Sequence, residues 1–107
     1  MAATSINRMQ FYQLLAGEQP VLVDFWAPWC RHCRQINDPY DRIAAKYENR
    51  LLIVKVNTDE EPQLTGEEWI EIIPTLVLYR NGIAVDSIVA PDSEAMIDRF
   101  IREALEK

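Results

Sequence analysis

Two nearly unbroken apolar runs, "PVLVDFWA" at 20–27 and "LLIVKVN" at 51–57, bracket a stretch of helical periodicity. No other feature constrains the fold as much. Val21 to Trp26 is apolar at every position but Asp24, the pattern of a central strand covered on both faces. Between the runs, Ile36, Tyr40, Ile43, Ala44 and Tyr47 recur at the spacing of a helix over Arg31 to Tyr47. Strand, crossover helix and strand make a βαβ unit with parallel strands and a right-handed connection. Pro39 falls inside the helical stretch, where its missing N–H and its ring predict a bend.

The flanking segments extend this unit. "NRMQFYQLLAG" reads as a first helix: Asn7 and Gln10 form a capping box, Phe11, Leu14 and Leu15 mark an apolar face, and Gly17 offers a left-handed stop. The residues before Asn7 suit a brief edge strand. After the second run, a short helix is expected over Leu64 to Ile70. Two antiparallel strands, "TLVLYR" and "IAVDSIV", meet at Asn81-Gly82, a dipeptide suited to a type I′ turn. A last helix starts near Asp92, with Met96, Ile97, Phe100, Ile101, Ala104 and Leu105 on its buried side. The sum is an α/β fold of three layers, a central mixed sheet with helices on both faces. No linker, repeat or low-complexity segment divides it, so residues 1–107 are expected to form a single domain.

Eleven Lys and Arg against 17 Asp and Glu give a formal charge of −6, which argues against nucleic acid or an acidic membrane surface as partner. "MAATSINRMQ" has no long apolar stretch, and the apolar runs fall well short of a membrane span. A soluble, cytoplasmic protein is expected. Two cysteines are too few for a disulfide-dense secreted scaffold.

Both cysteines lie in "WAPWCRHCRQ", with the only histidine between them. Zinc competes for such a pair, yet structural zinc wants four ligands, and after Cys30, Cys33 and His32 no cysteine or histidine remains. A purely structural disulfide would close so short a loop that it removes little entropy from the unfolded chain. Thiol–disulfide exchange suits the placement better. Where a strand hands over to a helix, the first sulfur meets free N–H groups, and the second follows one turn behind, within reach of a mixed disulfide.

With "DFWAPWCRHC" at Asp24 to Cys33, "VKVNTD" at Val54 to Asp59, "IPT" at Ile73 to Thr75 and "NG" at Asn81 and Gly82, the chain resembles the thioredoxin family from Phe11 to Leu105. The resemblance implies that Cys30 is an exposed nucleophile and Cys33 a buried resolving thiol. It places Asp24 and Lys55 beneath Cys33, with the acid moving its proton. Asp24 would be costly to bury alone, and Lys55 on the neighbouring strand is its natural partner. A cis Ile73–Pro74 bond is implied facing the cysteines, with the Ile73 backbone pairing with an extended substrate segment. Trp29 is expected to contact partners, and Trp26 to pack beneath the site.

The resemblance further implies protein disulfides as substrates and no cofactor beyond a Cys30–Cys33 disulfide. No glycine-rich phosphate fingerprint points to a bound nucleotide or flavin, so electrons are expected from an external protein reductase. A monomer that binds no metal, nucleic acid or membrane is expected.

The chain also departs from the family. Trp69 and Ile72 stand where glycine is common, and "VAP" at 89–91 replaces "VGA". Ile72 and Ala90 add side chains to the substrate groove, predicting a narrower, more apolar rim and a restricted set of partners. Pro39 follows Cys33 by six residues rather than five, which predicts a displaced kink. Arg31 and His32 replace the familiar Gly-Pro, and their positive charge favours an anionic Cys30 sulfur and a more oxidising couple. A histidine before the second cysteine also resembles the isomerases and oxidases of oxidising compartments. The expected activity is a protein-disulfide reductase less reducing than a Gly-Pro thioredoxin. The alternatives are a thiol oxidase or disulfide isomerase, and a redox-inactive binding or assembly module.

Overall fold

The middle strand, β2 (Val21–Trp26), organises the molecule. The computed structural model describes residues 3–107. In it β2 pairs in parallel with β3 (Leu52–Asn57) on one side and antiparallel with β4 (Thr75–Arg80) on the other. A two-residue strand, β1 (Thr4–Ser5), adds in parallel outside β3, and β5 (Ile83–Val89) adds antiparallel outside β4. The order is β1-β3-β2-β4-β5, the mixed sheet expected.

Alternation along β2 divides the core. Val21, Val23 and Phe25 pack with Phe11 of α1 (Arg8–Leu15) and Leu64 of α4 (Pro62–Glu67). Leu22 faces the other way, with Tyr40 and Ile43 of α3 (Asn37–Lys46) and Ile97 and Ile101 of α5 (Glu94–Leu105). Asp24 therefore points into the second layer, on the face beneath the cysteines. Tyr40 is fully buried there, and its hydroxyl donates between the carbonyls of Leu22 (3.2 Å) and Val54 (2.7 Å), tying β2 to β3 through the helix.

The capping box at Asn7 and Gln10 is present on both sides. At the hairpin, Asn81 and Gly82 have φ of 55° and 77°, and Arg80 pairs with Ile83 across a two-residue loop, as a type I′ turn requires. Several boundaries differ from expectation. Gly17 does not adopt a left-handed conformation: α1 ends on Ala16 in right-handed geometry, so no positive φ is needed. The single bent helix is two, α2 (Arg31–Gln35) and α3, broken at Ile36. Pro39 lies in the first turn of α3, where a missing N–H costs least, so the chain breaks ahead of the proline rather than at it. The short helix α4 begins at Pro62 and stops at Glu67, earlier than expected. Ser93 caps α5 and shifts its start to Glu94. Met96, expected on the buried side, is 41% exposed, because the buried stripe of α5 runs through Ile97, Phe100, Ile101 and Ala104. No helix among the described residues is long and apolar enough to cross a membrane.

Candidate active site

A turn closed by the Cys30 N–H to the Ala27 carbonyl (3.1 Å) carries the chain from β2 into α2. Cys30 is the residue that caps α2: its backbone is extended, and its Sγ accepts the Cys33 N–H at 3.3 Å. A sulfur can take this capping role because the first N–H groups of a helix have no carbonyl partner within it. Cys30 is half-buried, whereas Cys33 is completely buried. Burial, then its hydrogen bond with Cys30, and to a smaller degree the charge of Asp24 push the Cys33 thiol up to about 12. The two sulfurs thus occupy different environments one turn apart, one reachable from outside and one held as a thiol beneath it.

The third wall is the segment before β4. Ile73–Pro74 is cis, as the resemblance implies, and the Ile73 carbonyl lies 3.9 Å from the Cys30 sulfur. Thr75 donates its hydroxyl to the Ile72 carbonyl, and the Ala90 N–H bonds the Pro74 carbonyl at 2.8 Å, fixing the loop against the end of β5. Ile72 is 58% exposed, in keeping with a place on the rim. Ala90 (φ 49°) and Trp69 (φ 59°) hold left-handed conformations. At these two positions backbone geometry alone favours a glycine, whereas the expectation at Ala90 rested on close approach of a partner.

His32 reaches the connection between β5 and α5. Its Nε2 lies 2.9 Å from the Pro91 carbonyl and 3.9 Å from an Asp92 carboxylate oxygen. A carbonyl can only accept, so Nε2 carries the proton, and the ring staples α2 to the β5–α5 connection. Arg31 is exposed; Arg34 reaches back to the Pro28 carbonyl at 2.9 Å. Trp29 is 67% exposed and donates its indole N–H to Asp59 at 2.8 Å, which sets the ring's orientation beside Cys30.

Below the cysteines, Asp24 is fully buried, and desolvation lifts its carboxyl from 3.8 to about 7 against the weaker opposing pull of Lys55. The expected Asp24–Lys55 pair is not formed, although the two residues are directly opposite in the β2–β3 register. Lys55 instead donates to Asn37 Oδ1 at 2.9 Å and stands over the Trp26 ring, 4.1 Å from its centre. Trp26 is half-buried, not fully packed away, and its indole N–H has no partner among the described residues. Sequence reasoning missed Asn37, Asp59 and the Pro91 carbonyl. Asn37 left a usable signal: four residues after Cys33, it returns to the side of the helix that faces the sheet.

Among the described residues no three His, Cys, Asp or Glu converge on a cation site. The thioredoxin family model matches residues 2–103. Thioredoxin 1 of Nostoc sp. is 40% identical over 105 residues, covering 97% of this chain and 98% of that protein. A thioredoxin of Griffithsia pacifica is 48% identical over 90 residues, covering 83% of each. The solved structure of Plasmodium falciparum thioredoxin superposes with a TM-score of 0.87 at 26% identity, covering 94% of this chain and 98% of that one. Mixed sheet, Cys30-Arg31-His32-Cys33 motif and relatives of matching length agree: the chain belongs to the thioredoxin family, as a dithiol–disulfide oxidoreductase that reduces protein disulfides.

Proposed function

We propose that Cys30 attacks the substrate and Cys33 resolves the intermediate, with Asp24 receiving the proton of Cys33. The observation that carries this is the contrast between a half-exposed, helix-capping Cys30 sulfur and a fully buried Cys33 one turn behind it. Cys30 thiolate attacks one sulfur of a protein disulfide, and the other sulfur leaves with the electron pair. Cys33 then attacks Cys30 Sγ, forming Cys30–Cys33 and expelling the second substrate sulfur, so that two electrons reach the substrate. A buried acid titrating near neutrality is matched to accepting the proton of a thiol whose burial resists ionisation. Lys55 tunes that acid.

The substrate enters as an extended segment beside the Ile73 backbone, between Trp29 and the 89–91 segment. A groove of about 440 Å³ lies between residues 68–72 and β5, lined by Trp69, Ile72 and Val89 together with Glu71. Its exposed apolar side chains support the reading that partners are restricted. Arg31 and His32 set a potential less reducing than a Gly-Pro pair would, and electrons come from an external protein reductase. Residues 1–107 act as one monomeric unit in the reducing cytoplasm, where such a couple can cycle.

The decisive experiment replaces Cys33 with serine and incubates the variant with disulfide-containing proteins. Stable mixed disulfides through Cys30 are expected, together with loss of turnover; an absence of adducts overturns the assignment. Ile72→Gly tests the groove separately: a bulky protein disulfide should be reduced several-fold faster and a small-molecule disulfide at an unchanged rate. Equal effects on both would remove the partner restriction while leaving the chemistry intact.

A further inference from the structure

A buried carboxylate and an ammonium on adjacent strands ordinarily close on each other, since their attraction grows as the dielectric falls. Asp24 and Lys55 are opposite in register and share one face of the sheet, yet they stay apart. Among the described residues both Asp24 oxygens lack a partner, while the Lys55 ammonium is taken by two uncharged groups, the Asn37 amide at 2.9 Å and the Trp26 ring at 4.1 Å. An ammonium has only protons to offer, so the amide must present its oxygen, and the orientation of Asn37 is chemically fixed. The break at Ile36 makes Asn37 the first residue of α3, next to the layer in which Asp24 is buried.

We propose that Asn37 is a positioning residue for the thiol–disulfide cycle: it holds Lys55 off Asp24 and so keeps Asp24 able to take up and return a proton beside Cys33. This deepens the reading of Asp24 as proton acceptor and rests on it. Paired with an ammonium, a carboxylate is stabilised as the anion and becomes a poor acceptor; left to burial alone, it holds a proton well above its ordinary range. When Cys33 attacks Cys30, the thiol proton passes to the Asp24 carboxylate and the Cys30–Cys33 bond forms. The bond from Cys30 to the substrate breaks, and the departing sulfur carries the electron pair and takes its proton from water. Reduction by a protein dithiol reverses these transfers, and Asp24 then gives the proton back.

Few other groups compete for control of Asp24. From β3 it faces Lys55; from α2, Cys33; from α3, Tyr40, whose hydroxyl is committed to the Leu22 and Val54 carbonyls. Opposite it on β4 stands Leu76, which carries no charge. Lys55 is thus the one cation in that set, and Asn37 is the group that sets where its charge rests.

The test reads two things. Reduced protein mixed with an aromatic disulfide releases one coloured thiolate on forming the Cys30 adduct. It releases a second in a concentration-independent phase, when Cys33 attacks. The pH dependence of that second phase, and the carboxyl carbon-13 resonance of Asp24 across the same pH range, give the mid-point of Asp24. Asn37→Ala is expected to move both mid-points about one pH unit or more toward acid, as Lys55 turns to Asp24. Asn37→Asp, which still offers an oxygen to the ammonium, should leave them at or above the wild-type value. In a Lys55→Met background the Asn37→Ala effect should vanish, since no ammonium remains to be released. A carbon-13 mid-point unmoved by Asn37→Ala, or a move that survives Lys55→Met, overturns the proposal. So does a carbon-13 mid-point that moves while the kinetic one stays. If Asp24→Asn leaves the second phase with its wild-type pH profile, the fault lies instead with Asp24 as acceptor, and the resonance still shows whether Asn37 positions Lys55.

Discussion

Two aspartates mark two differently built regions of one layer. Asp98, on the outer side of α5, accepts from Lys46 at 2.8 Å, Tyr47 at 2.7 Å and Arg102 at 3.0 Å, and these bonds, Lys46 first, hold its carboxyl down to about 2. Asp24, under the cysteines, has no hydrogen-bond partner among the described residues and is raised to about 7. The same contrast extends to their surroundings. Around α3 and α5 polar groups are paired, as in the Arg42–Glu94 bridge at 2.6 Å. At the cysteine end, the Trp26 indole N–H has no partner among the described residues, and Trp69 and Ala90 hold left-handed conformations. Stability is drawn from the helical flank, while the reactive end keeps groups that cost stability and can act.

The largest effect is expected from Asp24→Asn. The unfolded carboxyl titrates near 3.8 and the folded one near 7, so between those values the folded chain binds more protons and stability falls as pH rises. Below the lower value there is no penalty; above the upper one it is complete. The gap, at about 1.4 kcal/mol per pH unit, amounts to about 4 kcal/mol. Urea unfolding should find Asp24→Asn more stable than wild type at pH 8 by up to that amount, and equal to it near pH 4. The same variant should slow resolution by Cys33. Equal stabilities at pH 8 would mean that Asp24 is paired after all, and the contrast with Asp98 would dissolve.

Asp98→Asn should behave with the opposite sign. The folded carboxyl is depressed, so its contribution is present above about pH 4 and is lost as pH falls toward 2. The variant should lose between about 1 and 2 kcal/mol at pH 7, in line with hydrogen bonds and ion pairs near a surface. Disulfide-reductase activity should not change. Denaturant curves from pH 7 to pH 2 on wild type and variant would show the difference shrinking with acid, whereas that of Asp24→Asn appears only toward alkali.

Periodicity carried most of the architecture. The unbroken apolar runs along Val21–Trp26 and Leu52–Asn57, the helical spacing through Tyr40 and Ile43, and the Asn81-Gly82 turn are local signals, and each falls in an element of the kind expected. The cysteine pair was legible because its chemistry needs a fixed spacing. What sequence could not supply was the choice among partners of similar reach. Lys55 has both Asp24 and Asn37 near it, and the register that makes Asp24 its neighbour says nothing of where a four-carbon side chain ends. The break at Ile36 was displaced for a related reason: a proline three residues into a helix fits, so the bend belongs to the junction before it. Met96 was misplaced because a helical stripe is read to within one residue, and Ile97 claims the core.

The smallest effect tests whether the cysteine end is also strained in its backbone. Ala90 sits at φ 49°, a region that costs a residue with a Cβ about 1–2 kcal/mol. Glycine there removes the steric cost but adds about 0.4–1 kcal/mol of chain entropy to the unfolded state. The net expectation for Ala90→Gly is a gain of about 0.5–1 kcal/mol, visible as a higher urea mid-point with unchanged slope. The Ala90 N–H to Pro74 bond does not involve the side chain and should persist, so the loop beside Cys30 keeps its place. This separates backbone strain from groove shape, which Ile72→Gly addresses without a change at a left-handed residue. A loss of stability in Ala90→Gly would mean that the alanine methyl is held by contacts worth more than its strain, and that this rim, like the α5 flank, is built for stability.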